Sequence, residues 1–300
     1  MSRSDVSFHR WGHVQNHTWP YQVYKLYNEE LSSFIWAQEC ANRYTYKHLK
    51  KNGADWSDAP TAHFTLPAYR IGQLKSIKGW SEVYNESLNW QRLNCVMAIS
   101  SNMETYLASV VALAIESNPG VLLGATKLID GAKLLKEGTL DNEVYANHIK
   151  MCTKGEWSSR LAAFEHLFVR APESYRKGLS TLERMRKLRN NLGHAFGRDI
   201  DASRNFSFNK KQPVDRLQLT TLVKYLDKAY NIVTDIDEFL LNNHIGEFQA
   251  VVAYHLHRNE LIVNGNKSET ANALKKFYGR QDQQIGKVFC RELVSYYEGL

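Results

Sequence analysis

The chain has 300 residues, of which 43% are hydrophobic and 23% are charged, the composition of a soluble globular protein with a sizeable core. Its four cysteines are far apart and form no CxxC pair, which argues against a zinc ribbon or a disulfide framework. Residues 1–11 contain no leader-like apolar run, and the most apolar stretch, Leu107 to Ile115, is too short to span a bilayer. We therefore expect a cytoplasmic protein that makes no membrane contact.

The net charge of +7 is concentrated in one window of the sequence. Between Leu182 and Arg216, nine basic residues stand against four acidic ones, so this window carries +5 of the total. Such local positive charge favours a polyanionic partner. A solvated basic helix face would give the same pattern.

Residues 1–80 are rich in aromatic side chains and contain three evenly spaced histidines. His9, His13 and His17 recur every four residues, the spacing at which a helix stacks metal ligands on one face. A glycine and a proline close by argue against a regular helix there. We favour a solvated or aromatic-packed segment over a metal site.

Apolar residues at intervals of three and four predict helices along most of the chain. The predicted helices cover residues 21–50, 81–117, 121–135, 142–151, 158–169, 173–192 and 217–242. Residues 198–213 read as a polar connection that has room for a short hairpin around Asn205 to Phe208. The helix over 81–117 carries one acid, Glu104, in its apolar stripe. A buried carboxylate needs a cationic partner or faces a cleft, whereas an acid at the edge of the stripe would be solvated, and the sequence leaves both readings open.

The chain changes character beyond residue 246. The β-branched and aromatic content of 248–257 and 260–263 predicts a short strand pair, and Ser268 opens a final helical region that breaks near Gly279. We therefore predict a mainly all-α fold in three parts. These parts are an N-terminal helical extension (1–80), a central helical domain (81–245) and a small C-terminal mixed region (246–300).

The most distinctive residues lie near the end of the basic helix-forming run. Arg189, Asn190 and His194 fall in the order Arg, Asn, three residues, His. Arg186, Asn190, His194 and Arg198 would form one stripe if the helix continued that far. An imidazole transfers protons near neutral pH, a guanidinium can hold a phosphate and an amide can orient either group. These residue types suit cleavage of a phosphodiester without a metal ion.

The stretch RNNLGH, from Arg189 to His194, closes a basic amphipathic helix that follows a long apolar one. In this it resembles the HEPN domains of prokaryotic defence and toxin systems and of some eukaryotic ribonucleases. Their motif is Arg, a polar residue, three to five further residues and His, on a bundle of four to five helices. The resemblance covers about residues 81–245 and implies a HEPN-like helical bundle.

The resemblance implies a metal-independent endoribonuclease that needs no cofactor and acts as a homodimer, with two motif copies facing a shared cleft. His194 would act as general acid or base, Arg189 would hold the scissile phosphate and Asn190 would orient one of them. The implied setting is anti-phage defence, by abortive infection or as a toxin, with RNA as substrate and an antitoxin or another defence protein as partner.

Three further residues are candidates from spacing alone: Arg186 and Arg198 for additional phosphate contacts and, more weakly, Glu104 as a supporting acid. Two other functions stay open. One is a helical module that binds RNA or a protein partner without cleaving it, and the other is a metal-dependent enzyme built on His9, His13 and His17.

Overall fold

The computed structural model describes residues 6–65, 74–139, 143–199, 212–262, 266–280 and 285–300. These residues form ten α-helices and no strand, so the fold is all-α, as the sequence predicts. The helices are α1 (Trp19–Lys51), α2 (Ile77–Ser117), α3 (Gly131–Glu137), α4 (Glu143–Thr153), α5 (Trp157–Phe168), α6 (Glu173–Ala195), α7 (Leu219–Leu240), α8 (Phe248–Leu261), α9 (Lys267–Gly279) and α10 (Lys287–Gly299). Short 3-10 turns at Pro60–Ala62 and Pro119–Leu123 and a π turn at Leu241–Ile245 complete the list.

Two compact units make up the structure, and each is assembled from separated parts of the chain. Unit 1 comprises Met1–Tyr24, Glu104–Leu179 and Asn231–Leu300, and unit 2 comprises Lys25–Met103 and Ser180–Tyr230. Helices α1, α2, α6 and α7 contribute residues to both units. The units are thus interleaved along the chain and differ from the serial division into 1–80, 81–245 and 246–300.

Most helices begin and end close to the predicted positions, because their apolar periodicity is strong. Helices α1, α2, α4, α5, α6 and α7 each lie within four residues of the predicted bounds. The helix predicted over 121–135 is wrong. A 3-10 turn ends there at Gly124, whose φ is 65°, and the separate helix α3 begins after Asp130, whose side chain accepts a hydrogen bond from the Ala132 amide at 3.0 Å.

The strand pair predicted beyond residue 246 is also wrong, because residues 248–261 form helix α8. Phe248, Val251 and Tyr254 recur at intervals of three and are fully buried, so helical packing overrides the β-propensity of the segment. Within unit 1, α8 packs against α3, α9 and α10, and α9 packs against α10. The described part of 246–300 is therefore helical. The hairpin suggested around 205–208 lies outside the described residues.

A buried arginine holds the segment before α1 to the rest of unit 1. The Arg10 guanidinium donates hydrogen bonds to the Ile245 carbonyl at 2.8 Å and to the Ser117 carbonyl at 2.9 Å. It also pairs with Asp130 at 3.0 Å. Burial lowers the pKa of Arg10, and Asp130 opposes that shift. The segment is irregular, as Gly12 indicates, and Pro20 lies in the first turn of α1.

In unit 2, aromatic side chains join α1 to α2. The Tyr46 hydroxyl on α1 lies 2.8 Å from the Ser81 hydroxyl at the start of α2. Trp80 stacks on Tyr84 with ring centroids 4.9 Å apart, and Tyr46 packs against both rings. These contacts fix the two long helices beside each other within this unit.

Helix α2 supplies much of the core. Val96, Met103, Val110 and Ala114 are fully buried. Among the described helices, α2 alone is long and apolar enough to cross a membrane, with a mean hydropathy of 1.3 over its best 18-residue window. A core helix of a globular protein meets the same criterion, and 56% of that window is buried inside the protein. The cytoplasmic location expected from the sequence stays a prediction.

Candidate nucleic-acid interface

The last turns of α6 place the three proposed reacting residues of RNNLGH at the surface of unit 2. Leu182, Met185 and Leu192 form the buried side of this part of α6. His194 is exposed, and Arg189 and Asn190 are partly exposed. The amphipathic pattern therefore fixes the rotation of the helix, and the imidazole of His194 faces solvent rather than core packing.

Arg189 and His194 lie on one helix but not on one face of it. Five residues in an α-helix correspond to a rise of about 7.5 Å and a rotation that leaves the two side chains about 140° apart. Asn190, four residues before His194, shares its face. A single copy of the motif thus spreads the guanidinium and the imidazole around the helix, with the amide beside the imidazole.

Helix α6 ends at Ala195 through a sharp turn. Phe196 and Gly197 both have left-handed backbone conformations, with φ values of 56° and 77°. The Gly197 amide donates a hydrogen bond to the Asn191 carbonyl at 2.9 Å. Because the helix ends at Ala195, the condition for a four-residue stripe is not met, and Arg198 does not continue the stripe of Asn190 and His194.

A set of polar contacts anchors this turn to α2 and to the segment before α7. Asp215 donates its amide to the Gly197 carbonyl at 2.6 Å, and its carboxylate accepts a hydrogen bond from the Asn191 side chain at 2.9 Å. On α2, Asn89 donates to the Asp215 carbonyl at 2.8 Å and accepts from the Leu217 amide at 2.8 Å. Sequence reasoning missed these residues, because an asparagine or aspartate carries no periodic signal of its tertiary partner.

The two arginines proposed from spacing have partners within the protein. Arg186 forms a hydrogen-bonded ion pair with Glu183, with both Glu183 oxygens 2.9 Å from its Nε. Arg198 donates from Nε to the Gln212 carbonyl at 2.9 Å and from Nη1 to the Phe196 carbonyl at 3.0 Å. Arg186 is therefore partly neutralised and Arg198 stabilises the turn. A phosphate contact by either stays a prediction.

Glu104 has the cationic partner that a buried carboxylate requires. Arg160 on α5 donates from Nη1 to a Glu104 oxygen at 3.0 Å, and the two residues are 2% and 9% exposed. Arg160 also donates to the Gly155 carbonyl at 3.1 Å and lies 4.3 Å above the Trp157 ring. The solvated alternative is thus wrong. Glu104 belongs to unit 1, whereas Arg189 and His194 belong to unit 2, and its contacts favour a structural role.

The three N-terminal histidines make separate contacts. Both ring nitrogens of His13 have partners, the Gln15 carbonyl and the Asn242 side chain. The His17 ring stacks on Tyr21 at a centroid distance of 4.2 Å. Within the described residues, no group of three or more His, Cys, Asp or Glu side chains could hold a metal ion. The structure therefore does not bring His9, His13 and His17 together as a metal-binding group, and the aromatic-packed alternative describes His17.

A groove in unit 2 lies at other residues. It has a volume of about 200 Å³, and its walls include Ile35 on α1, Leu88 and Cys95 on α2 and Leu222 on α7. Arg189, Asn190 and His194 are not among its lining residues. The exposed position of His194 suits an extended polymer better than a small molecule that needs enclosure.

No protein-family model, curated protein or solved structure matches the chain. Any functional conclusion therefore depends on the residues themselves. The strongest set is an exposed imidazole and a partly exposed amide and guanidinium on one basic helix.

Proposed function

We propose that the protein is a metal-independent endoribonuclease of the HEPN type, with Arg189, Asn190 and His194 as its reacting residues. The observation that carries this proposal is the exposure of His194 on the last turn of α6. A histidine enclosed in the core could not exchange protons with a substrate, whereas this ring is open to a polymer lying along the helix end.

The local charge supports an RNA substrate. Six of the nine basic residues and three of the four acidic residues between 182 and 216 are among the described residues, and Arg184 and Lys187 on α6 are exposed. Exposed positive charge attracts a phosphate backbone and raises its local concentration. Lys187 lies seven residues before His194, so both point to about the same side of the helix.

The chemistry assigns a role to each residue. A general base removes the proton of an RNA 2′-hydroxyl, and the 2′-oxygen attacks the adjacent phosphorus. The bond to the 5′-oxygen breaks, and a general acid protonates that leaving oxygen. Arg189 stabilises the additional negative charge on the phosphoryl oxygens, and Asn190 orients His194 or the phosphate. The products are a 2′,3′-cyclic phosphate and a 5′-hydroxyl end, and DNA is resistant because it lacks the 2′-hydroxyl.

We further propose that the active form is a homodimer. One imidazole cannot easily remove one proton and deliver another at opposite ends of the same phosphate. The separation of Arg189 and His194 around α6 also calls for a second copy, because one copy does not bring both side chains to the same phosphate. A second copy related by a two-fold axis would supply the missing acid or base and guanidinium.

The proposed setting is cytoplasmic, as a toxin or in abortive infection that limits phage growth. A nuclease of this kind needs restraint until it is triggered, so an antitoxin or another defence protein is the proposed partner. No membrane contact is part of this proposal.

The test is cleavage of total RNA by the purified protein in the presence of EDTA. We expect wild-type protein to produce 2′,3′-cyclic phosphate ends, and Arg189→Ala and His194→Ala each to lower the rate by about 10²- to 10⁴-fold. The matched control is His166→Ala, because His166 is an exposed histidine in the last turn of α5. Equal cleavage by all three variants, or loss of cleavage in EDTA, would refute the proposed mechanism.

A non-catalytic module that binds a protein partner is the second candidate. It is favoured by exposed apolar side chains on α1, where Leu26, Tyr27 and Phe34 are 65%, 56% and 61% exposed. In that case RNA would stay intact with wild-type protein and with both variants. Any growth toxicity of the expressed protein would then be the same in the Arg189→Ala and His194→Ala variants as in the wild-type protein.

A further inference from the structure

Two aromatic side chains lie together on the surface beside the proposed reacting residues. Trp90 on α2 and Phe196 after α6 have ring centroids 5.9 Å apart and ring planes inclined by 33°. They are 39% and 63% exposed. Phe196 follows His194 by two residues, so the aromatic pair and the imidazole share the same end of α6.

Phe196 combines two unfavourable features. Its ring is largely in solvent, although burial of a phenylalanine side chain is strongly favourable. Its backbone has a φ of 56°, a conformation that bulky residues rarely adopt and that glycine or asparagine adopts more easily. Residues with strained backbone conformations cluster at active sites and ligand-binding sites.

The neighbouring residues hold Phe196 in place. The Arg198 guanidinium lies 5.5 Å from the centre of its ring and donates to its carbonyl. The next residue, Gly197, is so closely packed that a Cβ atom there would come within 3.1 Å of Val214 and 3.2 Å of Leu93. The aromatic surface is therefore fixed before any ligand arrives, which lowers the entropic cost of binding.

We propose that Trp90 and Phe196 form a stacking platform for an unpaired base, and that the substrate is therefore single-stranded RNA or a loop. This inference rests on the proposed function and names its substrate class. Bases in a duplex are already stacked on their neighbours, whereas an unpaired base can stack on an aromatic side chain. With one base held at Phe196, its ribose-phosphate is brought close to His194. The Arg198 guanidinium, 5.5 Å from the ring centroid of Phe196, adds a positive charge beside the platform.

The test is binding of a fluorescein-labelled 12-nucleotide 2′-O-methyl RNA, which cannot undergo 2′-hydroxyl attack, measured by anisotropy as a single strand and as a duplex. We expect Phe196→Ala and Trp90→Ala to weaken single-strand binding by about 5- to 150-fold, the range of one base–aromatic stack, and to leave duplex binding unchanged. The slope of log affinity against log salt should be unchanged, because no phosphate contact is removed.

The matched control is Tyr44→Ala. Tyr44 is 68% exposed and stacks on His48 with ring centroids 5.8 Å apart, so it is another surface aromatic pair of unit 2. Equal single-strand affinity of Phe196→Ala and Tyr44→Ala overturns the platform. A weaker affinity accompanied by a smaller salt slope also overturns it, because the loss would then be electrostatic.

A second variant separates binding from folding. Phe196→Asn removes the ring but suits the left-handed backbone, so its urea midpoint should equal or exceed that of the wild-type protein while its single-strand affinity falls as in Phe196→Ala. Retained affinity in this variant overturns the inference.

Cleavage of unmodified RNA is measured in a separate experiment. If wild-type protein binds through Phe196 but does not cleave, the platform is supported and the nuclease fails, and if it cleaves without dependence on Phe196, only the platform fails.

Discussion

Glu104 and Arg160 are the residues whose energetic role the structure defines most directly. Both are buried, and removing one partner leaves the charge of the other without its ion pair. We expect Glu104→Ala to lower the free energy of unfolding by about 3–5 kcal/mol. The double variant Glu104→Leu with Arg160→Met replaces the pair by apolar side chains, and such replacement is often neutral. Urea denaturation measures both.

The same variants decide whether Glu104 takes part in RNA cleavage. If its role is structural, the folded double variant should cleave RNA at the wild-type rate. A double variant that is stable and folded but cleaves at least tenfold more slowly would restore Glu104 to the active site and contradict the structural assignment.

The motif residues show what a single sequence reveals at this scale. Spacing and residue type were enough to place His194 and Asn190 on one exposed helix face, because a helix has a fixed period. They did not reveal that the neighbouring amide, Asn191, anchors the turn through Asp215. They also did not identify Phe196 and Trp90, whose proximity depends on how two helices pack rather than on either sequence segment.

At the scale of the element, the end of α6 contains two glycines with opposite requirements. Gly193 lies inside the helix, and nothing lies within 4 Å of a Cβ atom placed on it. Gly197 has a φ of 77° and close neighbours. We expect Gly193→Ala to raise the free energy of unfolding by up to about 1 kcal/mol, and Gly197→Ala to lower it by about 1–3 kcal/mol. Thermal unfolding followed by circular dichroism compares the two variants.

Activity provides a second readout for this pair. A stable Gly193→Ala variant with impaired RNA cleavage would show that the substrate approaches the helix backbone beside His194. A Gly193→Ala variant that is less stable than wild-type protein would contradict the open position described for this glycine.

Elements with a strong apolar stripe were predictable, and those decided by packing were not. Helices α2 and α7 carry apolar residues at intervals of three and four over more than twenty residues, which leaves few alternatives. Helix α8 has a sequence that also suits a strand, and its contacts with α3, α9 and α10 select the helix. Short apolar segments with β-branched residues are ambiguous until their partners are known.

For the whole molecule, two buried groups give stability opposite dependences on pH. Burial raises the pKa of Glu247 to about 7, partly offset by the hydrogen bond from the Val14 amide. The stabilisation that Glu247 gives the folded protein is complete below about pH 4.5 and is lost as the pH rises towards 7. Burial, with Lys127 and Arg170 nearby, lowers the pKa of His244 to about 4. Its contribution is present above about pH 6.5 and is lost as the pH falls towards 4.

Between about pH 4.5 and 6.5 the slopes of these two contributions with pH have opposite signs and cancel, so the pair gives the wild-type free energy of unfolding no net pH dependence there. When either Glu247 or His244 is replaced, the free energy of unfolding keeps only the pH dependence of the group that remains. We expect Glu247→Gln to become more stable as the pH rises, by about 1 kcal/mol per pH unit, and His244→Asn to become less stable to a similar extent. Urea denaturation at half-unit pH steps measures this, and parallel profiles for the two variants would contradict the assignment.

The division into units was beyond prediction from the sequence, because a helix pattern does not tell which other segments it packs against. A serial reading assigns neighbours along the chain to one domain. Helices α1, α2, α6 and α7 instead contribute to both units. The sequence therefore predicted the class of the fold and most of its helices, but not which segments associate.

The composition of unit 1 has a consequence for biosynthesis. The Phe8 amide donates a hydrogen bond to Glu292 at 2.8 Å, and the Phe8 ring packs 5.4 Å from that of Phe289. A nascent chain that has left the ribosome as far as residue 230 contains all of unit 2 but lacks the last segment of unit 1. Unit 1 can therefore close only after translation has reached residues 231–300, and until then the apolar side chains of its early segments lack part of the packing that buries them, a state that favours aggregation.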